Sequence, residues 1–274
     1  MTEMESTFKV ITKHIFDHPV NTTPFYHFVT KNVFPAEFYT ELLGKLPDDT
    51  SYDWKNEIGT LEDYRGRFCF SRREIADLDR SRQYFWAEFV QHMLSVNFLC
   101  VMMGKFRSEL NERFDGKLNT PLRAELKLLR DKDNYALKVH TDTPDRVATI
   151  LFYLPKDDSA TQNGTSLFVP KEEGFTCPGT TRHEYEKFET FTTVPFEPNN
   201  GLCFMRSNNS FHGVSPYNMS NPNRNVLVLL VSEVKESKMD LKEKLKSAVK
   251  HIVGMTPAKL YFSWHDIYHT KKIT

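Results

Sequence analysis

The spacing of apolar residues changes near residue 121. Before that point it is mixed and then helical. P-F-Y-H-F-V (24–29) predicts a short strand. Pro35 then stands where a helix can begin, and Phe38, Leu42, Leu43 and Leu46 follow at helical spacing until Pro47 stops it. Residues 74–113 have a long helical pattern in which Phe85, Phe89, Met93 and Phe98 share a stripe, as on a helix that packs against a core.

From about residue 121 the period shortens to that of strands. R-A-E-L-K-L-L-R, Y-A-L-K-V-H, V-A-T-I-L-F-Y-L, T-S-L-F-V, F-E-T-F-T-T-V, G-L-C-F-M-R and N-V-L-V-L-L-V are separated by clusters of Pro, Gly, Asn and Asp. Many short strands at this spacing predict a sandwich, barrel or jelly roll of about eight strands. The tail, K-M-D-L-K-E-K-L-K-S-A-V-K-H-I-V, returns to an amphipathic helical pattern with a lysine-rich face. The expectation is a mainly β, α+β chain forming a single domain. Residues 1–120 give a strand and helical support, 121–235 a β core, and 236–274 a helical tail.

Charge and composition narrow the possible partners. Thirty-six basic and 36 acidic residues cancel, so no bulk field draws the chain to nucleic acid or to an anionic membrane. No run reaches the ~20 apolar residues of a membrane span. The opening M-T-E-M-E-S-T is polar and acidic, unlike a secretory signal. Cys69, Cys100, Cys177 and Cys203 are far apart, which suits neither a zinc clip nor a disulfide scaffold. Together these features predict a cytoplasmic protein.

The candidate chemistry begins at L-K-V-H-T-D-T-P-D (137–145). On an extended chain, residues i and i+2 point to one side, so His140 and Asp142 aim an imidazole and a carboxylate into the same space. That is either a metal site being assembled or an ordinary hydrogen-bonded pair. Downstream, His212 lies in N-S-F-H-G-V-S-P-Y within the β region, whereas His183 sits in the charged R-H-E-Y-E-K and is expected to face solvent. Two histidines and a carboxylate on one face of an octahedral ion suit non-haem iron(II); the bland alternative makes His212 a hydrogen-bonded core residue. Arg224 enters the apolar strand N-V-L-V-L-L-V, a costly place for a guanidinium unless it meets an anion. Its fork suits a carboxylate. The pairs His14/His18 and His265/His269 are spaced i, i+4, which also permits a metal grip from one helix face.

With these pieces in order, residues 121–231 resemble the catalytic core of the Fe(II)/2-oxoglutarate-dependent oxygenases, in particular the prolyl-4-hydroxylase-like branch. The resemblance rests on L-K-L-L-R-D-K-D-N-Y-A-L-K-V-H-T-D, V-A-T-I-L-F-Y-L-P, N-G-T-S-L-F, and P-N-N-G-L-C-F-M-R-S-N-N-S-F-H-G-V-S-P-Y followed by Arg224. The opening H-F-V-T-K-N-V-F-P-A-E-F-Y-T-E-L-L-G-K-L-P is of the same type. The resemblance implies a jelly-roll core of the double-stranded β-helix kind. It also implies His140, Asp142 and His212 as ligands of Fe(II), with 2-oxoglutarate as cosubstrate and O2 as oxidant. Arg224 becomes the partner of the distal carboxylate of 2-oxoglutarate, with Tyr153 and Thr149 lining the same pocket. Where related hydroxylases often carry a cosubstrate-binding tyrosine before H-x-D, this chain has Arg130 and Asp131. Halogenating members carry a small residue in place of the carboxylate, so Asp142 favours hydroxylation, desaturation or ring closure.

The leading expectation is therefore a hydroxylase that releases succinate and CO2. Neutral charge and the lack of a peptide-binding module or repeat favour a small-molecule substrate over a peptidyl one. A jelly-roll metal enzyme without 2-oxoglutarate and a non-catalytic β module are the readings from other classes. Finally, P-K-E-E-G-F-T-C-P-G-T-T-R-H-E-Y-E-K-F-E (170–189) is long for a connection and contains Phe175, Tyr185 and Phe188. These aromatics predict a cover over the mouth of the barrel.

Overall fold

The computed structural model describes residues 2–54, 65–132, 135–216, 223–234 and 259–268. Two antiparallel sheets dominate it. The larger is built from β1 (His27–Thr30), β2 (Arg65–Phe68), β3 (Pro121–Asp131), β5 (Arg146–Tyr153), β9 (Gly201–Met205), β11 (Arg224–Glu233) and β12 (Lys259–Ser263), in the order β1-β9-β5-β11-β3-β12. β3 is long enough to take two partners on one edge, β2 along 128–131 and β12 along 121–125. The smaller sheet runs β7-β4-β10-β6-β8, from β4 (Leu137–His140), β6 (Thr165–Pro170), β7 (Arg182–His183), β8 (Phe188–Val194) and β10 (His212–Val214).

Each face of the larger sheet has its own packing partner. Leu126 and Leu128 of β3, Leu227 and Leu229 of β11, and Ile150 and Phe152 of β5 are buried against the helices. The intervening residues Tyr153, Leu202, Phe204, Val226 and Val228 look instead toward Leu167 and Val194 of the smaller sheet. A strand buried on both sides needs no polar alternation, which is why N-V-L-V-L-L-V is apolar throughout.

The helices come from the N-terminal part of the chain: α1 (Glu3–Asp17), α2 (Ala36–Gly44), α3 (Arg72–Ala76), α4 (Arg80–Met93), α5 (Val96–Gly104) and α6 (Arg107–Arg113). α1 starts with a capping box between Thr2 and Glu5 and buries Met4, Phe8, Ile11 and Ile15. The long helix expected over 74–113 is four helices. Asp79 caps α4 by accepting from Ser81 and Arg82, and Ser95 caps α5 by accepting from Phe98, so at two of the three breaks a side chain satisfies the amides of a new start. Two further expectations change. Lys259–Ser263, placed in a helical tail, is an edge strand whose buried Leu260 and Phe262 alternate with Lys259 and Tyr261. It is followed by α7 (Trp264–Tyr268). The amphipathic helix expected over 238–253 and His269 lie outside the described residues. Among the described residues no helix is long and apolar enough to cross a membrane.

Candidate metal centre

His140 closes β4 and His212 opens β10, and the two are direct cross-strand partners in the smaller sheet. Alternation then sorts their neighbours. Val139 and Phe211 turn outward into a buried cluster, and Thr141 donates its hydroxyl to the Cys177 carbonyl at 3.0 Å. His140, Asp142 and His212 turn inward, with donor atoms within 4.8 Å of one another, and form the one group of this kind found among the described residues. The imidazole centroids are 4.3 Å apart. Gly213 is what lets β10 approach so closely, since a Cβ there would stand 2.6 Å from the Leu137 carbonyl oxygen.

The protons of both rings point away from the cluster. His140 Nδ1 donates to the Lys138 carbonyl at 2.9 Å, and His212 Nδ1 donates to the Ser210 carbonyl at 3.0 Å. A carbonyl only accepts, so in the neutral rings both Nε2 atoms are left with a lone pair. They stand 4.0 Å and 3.9 Å from Asp142 Oδ1. The other oxygen, Oδ2, accepts from Thr149 of the opposite sheet at 2.6 Å, which fixes the carboxylate and leaves Oδ1 facing the imidazoles. Burial, and behind it the neighbouring His212, pushes the His140 pKa down to about 3 against the pull of Asp142. Burial opposes the charge on Asp142, but His212, His140, the Thr149 hydroxyl and Arg146 outweigh it and hold the carboxyl below the ordinary aspartate range. The donor set is thus two imidazoles, of which burial holds His140 neutral, and one carboxylate, the chemistry that suits a divalent transition metal.

Thr149 therefore differs from its expected role. Its hydroxyl is committed to Asp142, so it positions a candidate ligand. The backbone around the site is also tied. Arg206 Nε donates to the Asp142 carbonyl at 3.3 Å, and Gly179, at φ +109°, passes so close that a Cβ would sit 2.4 Å from the same oxygen.

Arg224 lies at the other end of this inner face, 2% exposed, and it has already met an anion. Its Nη1 donates to Asp131 Oδ2 at 2.8 Å and its Nε to the Asn163 carbonyl at 2.7 Å, while its Nη2 is 3.5 Å from the Thr165 hydroxyl. Asp131 is wholly buried and also takes both arms of Arg65, at 2.5 Å and 2.8 Å. Strand register produces this: Asp131 of β3 stands between Arg224 of β11 and Arg65 of β2. Asp131 is thus shared by two guanidiniums. Tyr153, expected in the same pocket, is buried there, with Arg224 5.6 Å from its ring and its hydroxyl oxygen accepting from the Thr165 amide at 3.2 Å. Both polar atoms of the Asn163 side chain are buried beside this cluster with no hydrogen-bond partner. A buried amide without a partner among the described residues, beside a guanidinium, is what a carboxylate-bearing cosubstrate would satisfy. Arg65, Asp131 and Asn163 had not been singled out as cosubstrate contacts.

No sequence-family model matches the chain, and no curated protein matches it by sequence. Solved structures do match. One is the non-haem α-ketoglutarate-dependent epimerase SnoN of nogalamycin biosynthesis, 13% identical with a TM-score of 0.47, over 83% of this chain and 84% of that one. A prolyl hydroxylase from Trichoplax adhaerens, in complex with a peptide fragment of hypoxia-inducible factor, is 14% identical with a TM-score of 0.47, over 84% and 91%. HygX from Streptomyces hygroscopicus, with nickel and 2-oxoglutarate bound, is 15% identical with a TM-score of 0.45, over 75% and 82%. At such identities and scores these likenesses assign nothing to individual residues, and the roles given to His140, Asp142 and His212 rest on their own geometry.

The remaining candidates fall elsewhere. His183 pairs with Val139, and its half-buried ring packs on the outer side among Phe175, Phe188 and Phe211, neither free in solvent nor near the cluster. His14 Nε2 donates to the Lys31 carbonyl at 2.6 Å and His18 Nδ1 to the His14 carbonyl at 2.8 Å, so that pair spends ring nitrogens on the backbone. The segment 170–189 is anchored differently from a cover. Phe175, Tyr185 and Phe188 pack on Val139, Phe168 and Phe211, on the outside of the smaller sheet. Tyr185 donates its hydroxyl toward the Leu137 and Val214 carbonyls at 3.0 Å and 2.7 Å. Those aromatics are a small core of their own.

Proposed function

We propose that the protein is a non-haem iron oxygenase with a jelly-roll core that uses 2-oxoglutarate and hydroxylates a small molecule. The observation that carries this reading is the convergence of two imidazoles, each with its proton turned away onto a carbonyl, and one carboxylate oxygen on a shared space between the sheets. His140, Asp142 and His212 would hold the iron, and Thr149 holds Asp142 in place for it. Arg224 and Arg65 would receive the distal carboxylate of 2-oxoglutarate, with Asp131 fixing both forks and Asn163 supplying the nearby amide. Bound iron, 2-oxoglutarate and O2 together supply the oxidising chemistry, releasing succinate and CO2. Val29, Leu129, Leu151 and Leu230, half-buried beside the inner cluster, give the substrate an apolar floor and limit water near the reacting atoms.

Anaerobic calorimetry tests the reading. The protein should take up one Fe(II) per chain, and 2-oxoglutarate should bind only after the metal. Undiminished Fe(II) uptake by the His212→Ala variant would remove the proposed site.

A second reading has one specific observation in its favour. Because Arg224 already faces Asp131, the same triad is compatible with a metal enzyme that uses no 2-oxoglutarate. Binding of 2-oxoglutarate to the metal-loaded protein, weakened by Arg224→Ala, would eliminate it.

A further inference from the structure

The inner face of the larger sheet can be followed outward from the metal centre by register. Directly opposed residues on antiparallel strands project to one side. Thr149 of β5 lies opposite Leu230 of β11, which lies opposite Glu125 of β3, which lies opposite Lys259 of β12. The next row is Arg146, Ser232 and Arg123. A row on the other side of Glu125 carries Lys127 opposite Val228. The face that holds Thr149, and through it Asp142, therefore passes over apolar Leu230 and becomes strongly basic. Two strand spacings separate Thr149 from Glu125 and the basic side chains around it, about 10 Å, while Arg146 lies on the same strand as Thr149.

Among the described residues the charge there is unbalanced. Arg123, Lys127 and Lys259 all lie within 3.9 Å of Glu125, so one carboxylate faces three cations. Arg146 adds a fourth, donating from Nη1 to the Ser232 hydroxyl at 2.7 Å. Arg123 Nε stands 3.5 Å from Glu125 Oε1, within ion-pair range but without hydrogen-bond alignment, and Arg146 Nε is buried with no hydrogen-bond partner among the described residues, although both side chains are partly open to solvent. A structural ion-pair network sets carboxylates against its arginine forks. Here one carboxylate is shared among three cations and Arg146 donates to a hydroxyl, on the same sheet face as the metal centre.

We propose that the substrate carries an anionic group, a carboxylate or a phosphate ester, held by Arg123, Arg146 and Lys127 while its apolar body lies across Leu230 toward the metal. This rests on the oxygenase reading above, which supplies the reacting end. The cosubstrate does not compete for the same place, because Arg224 lies at the opposite end of β11.

The test uses the full chain loaded with Zn(II) and 2-oxoglutarate, so that the metal and the Arg224 end are occupied. Binding of n-hexyl phosphate, hexanoate and hexanol is measured by calorimetry to the unaltered protein and to the Arg123→Gln/Arg146→Gln variant. At least one anion should bind the unaltered protein at least tenfold more tightly than the double variant, and the tighter anion names the class. Hexanol should not distinguish the two. Lys127→Gln, at a half-exposed position that folding tolerates, should weaken the same anion about threefold, by the loss of one partly screened charge. Equal affinities across all proteins, or no anion binding by the unaltered protein, would overturn the proposal. Failure to take up Zn(II) or 2-oxoglutarate would instead overturn the oxygenase reading, while the anion affinities of the same proteins still decide the basic site.

Discussion

The two polar clusters on the inner side of the larger sheet are built in opposite senses. At the His140–Asp142–His212 cluster, every hydrogen bond made by the chain leaves a lone pair pointing at a common space. At the Arg224 cluster the chain provides its own counter-ion, and Asp131 takes three of the bonds that two arginines offer. The first offers its donor atoms to a cation. The second is already paired, with one amide that has no partner among the described residues. An unpaired guanidinium at that depth would be costly to fold around. Asp131 thus makes Arg224 tolerable during folding and holds its fork in one orientation, the one in which the proposed cosubstrate would meet it.

Substitutions separate these two roles. The largest effect is expected at the metal cluster. His140→Ala, Asp142→Ala or His212→Ala should each abolish Fe(II) uptake and turnover while leaving the far-UV circular dichroism unchanged, because the lost side chains line an interior space and their partners are backbone carbonyls or one hydroxyl. Next comes Arg224→Ala. Breaking a buried pair costs on the order of 3–5 kcal/mol. If half or more of that is felt by the cosubstrate, the 2-oxoglutarate requirement rises by at least about tenfold, at 1.4 kcal/mol per tenfold. Arg224→Lys should do better than alanine, keeping the charge and losing the fork. Lower thermal stability with unchanged 2-oxoglutarate affinity would make Arg224 only a partner of Asp131, and the comparison above would fail.

Smaller effects sharpen the account. Thr149→Val removes the hydroxyl that fixes Asp142 and should weaken metal binding by about tenfold, the lower end for groups that orient a ligand. Thr149→Ser should restore it, and identical metal affinities in all three proteins would show that the hydroxyl is dispensable. Tyr185→Phe is expected to have the mildest effect. It removes a hydroxyl shared by two carbonyls on the outer side of the smaller sheet, costing about 1 kcal/mol in a denaturant titration. Metal affinity should not move, since no Tyr185 contact reaches the inner face.

The sequence made the metal cluster legible because its signal is local. His140 and Asp142 are two residues apart at the end of a strand, and extended geometry alone puts them on one side. His212 is less so; strand pairing across 72 residues brings it to His140, and its place in the β region left a core histidine as an open alternative until the resemblance singled it out. Asp131 was visible as a departure from the family pattern, but its pairing with Arg224 depends on the register of β3 against β11 and had no local mark. Arg65 followed for the same reason, from the register of β2. Parity puts Thr149 on the inner face, and it says nothing about what its hydroxyl meets, which is Asp142 rather than the Arg224 end. Other misses did have signals. Thr2 and Glu5 form a capping box ahead of Met4, Phe8, Ile11 and Ile15, enough to announce α1. Leu260 and Phe262 alternate as an edge strand should, but the helical period just before them masked it. In 170–189 the aromatic count was read correctly as a wish for burial, and the outer side of the smaller sheet satisfied it.

The most direct test of the central claim is succinate formation from 2-oxoglutarate by the Fe(II)-loaded protein in air, measured beside Asp142→Ala. The account predicts succinate and CO2 in equal amounts, dependent on both iron and oxygen, and none above background in the variant. No turnover of 2-oxoglutarate by the unaltered protein with any candidate substrate, or equal turnover by Asp142→Ala, would contradict it.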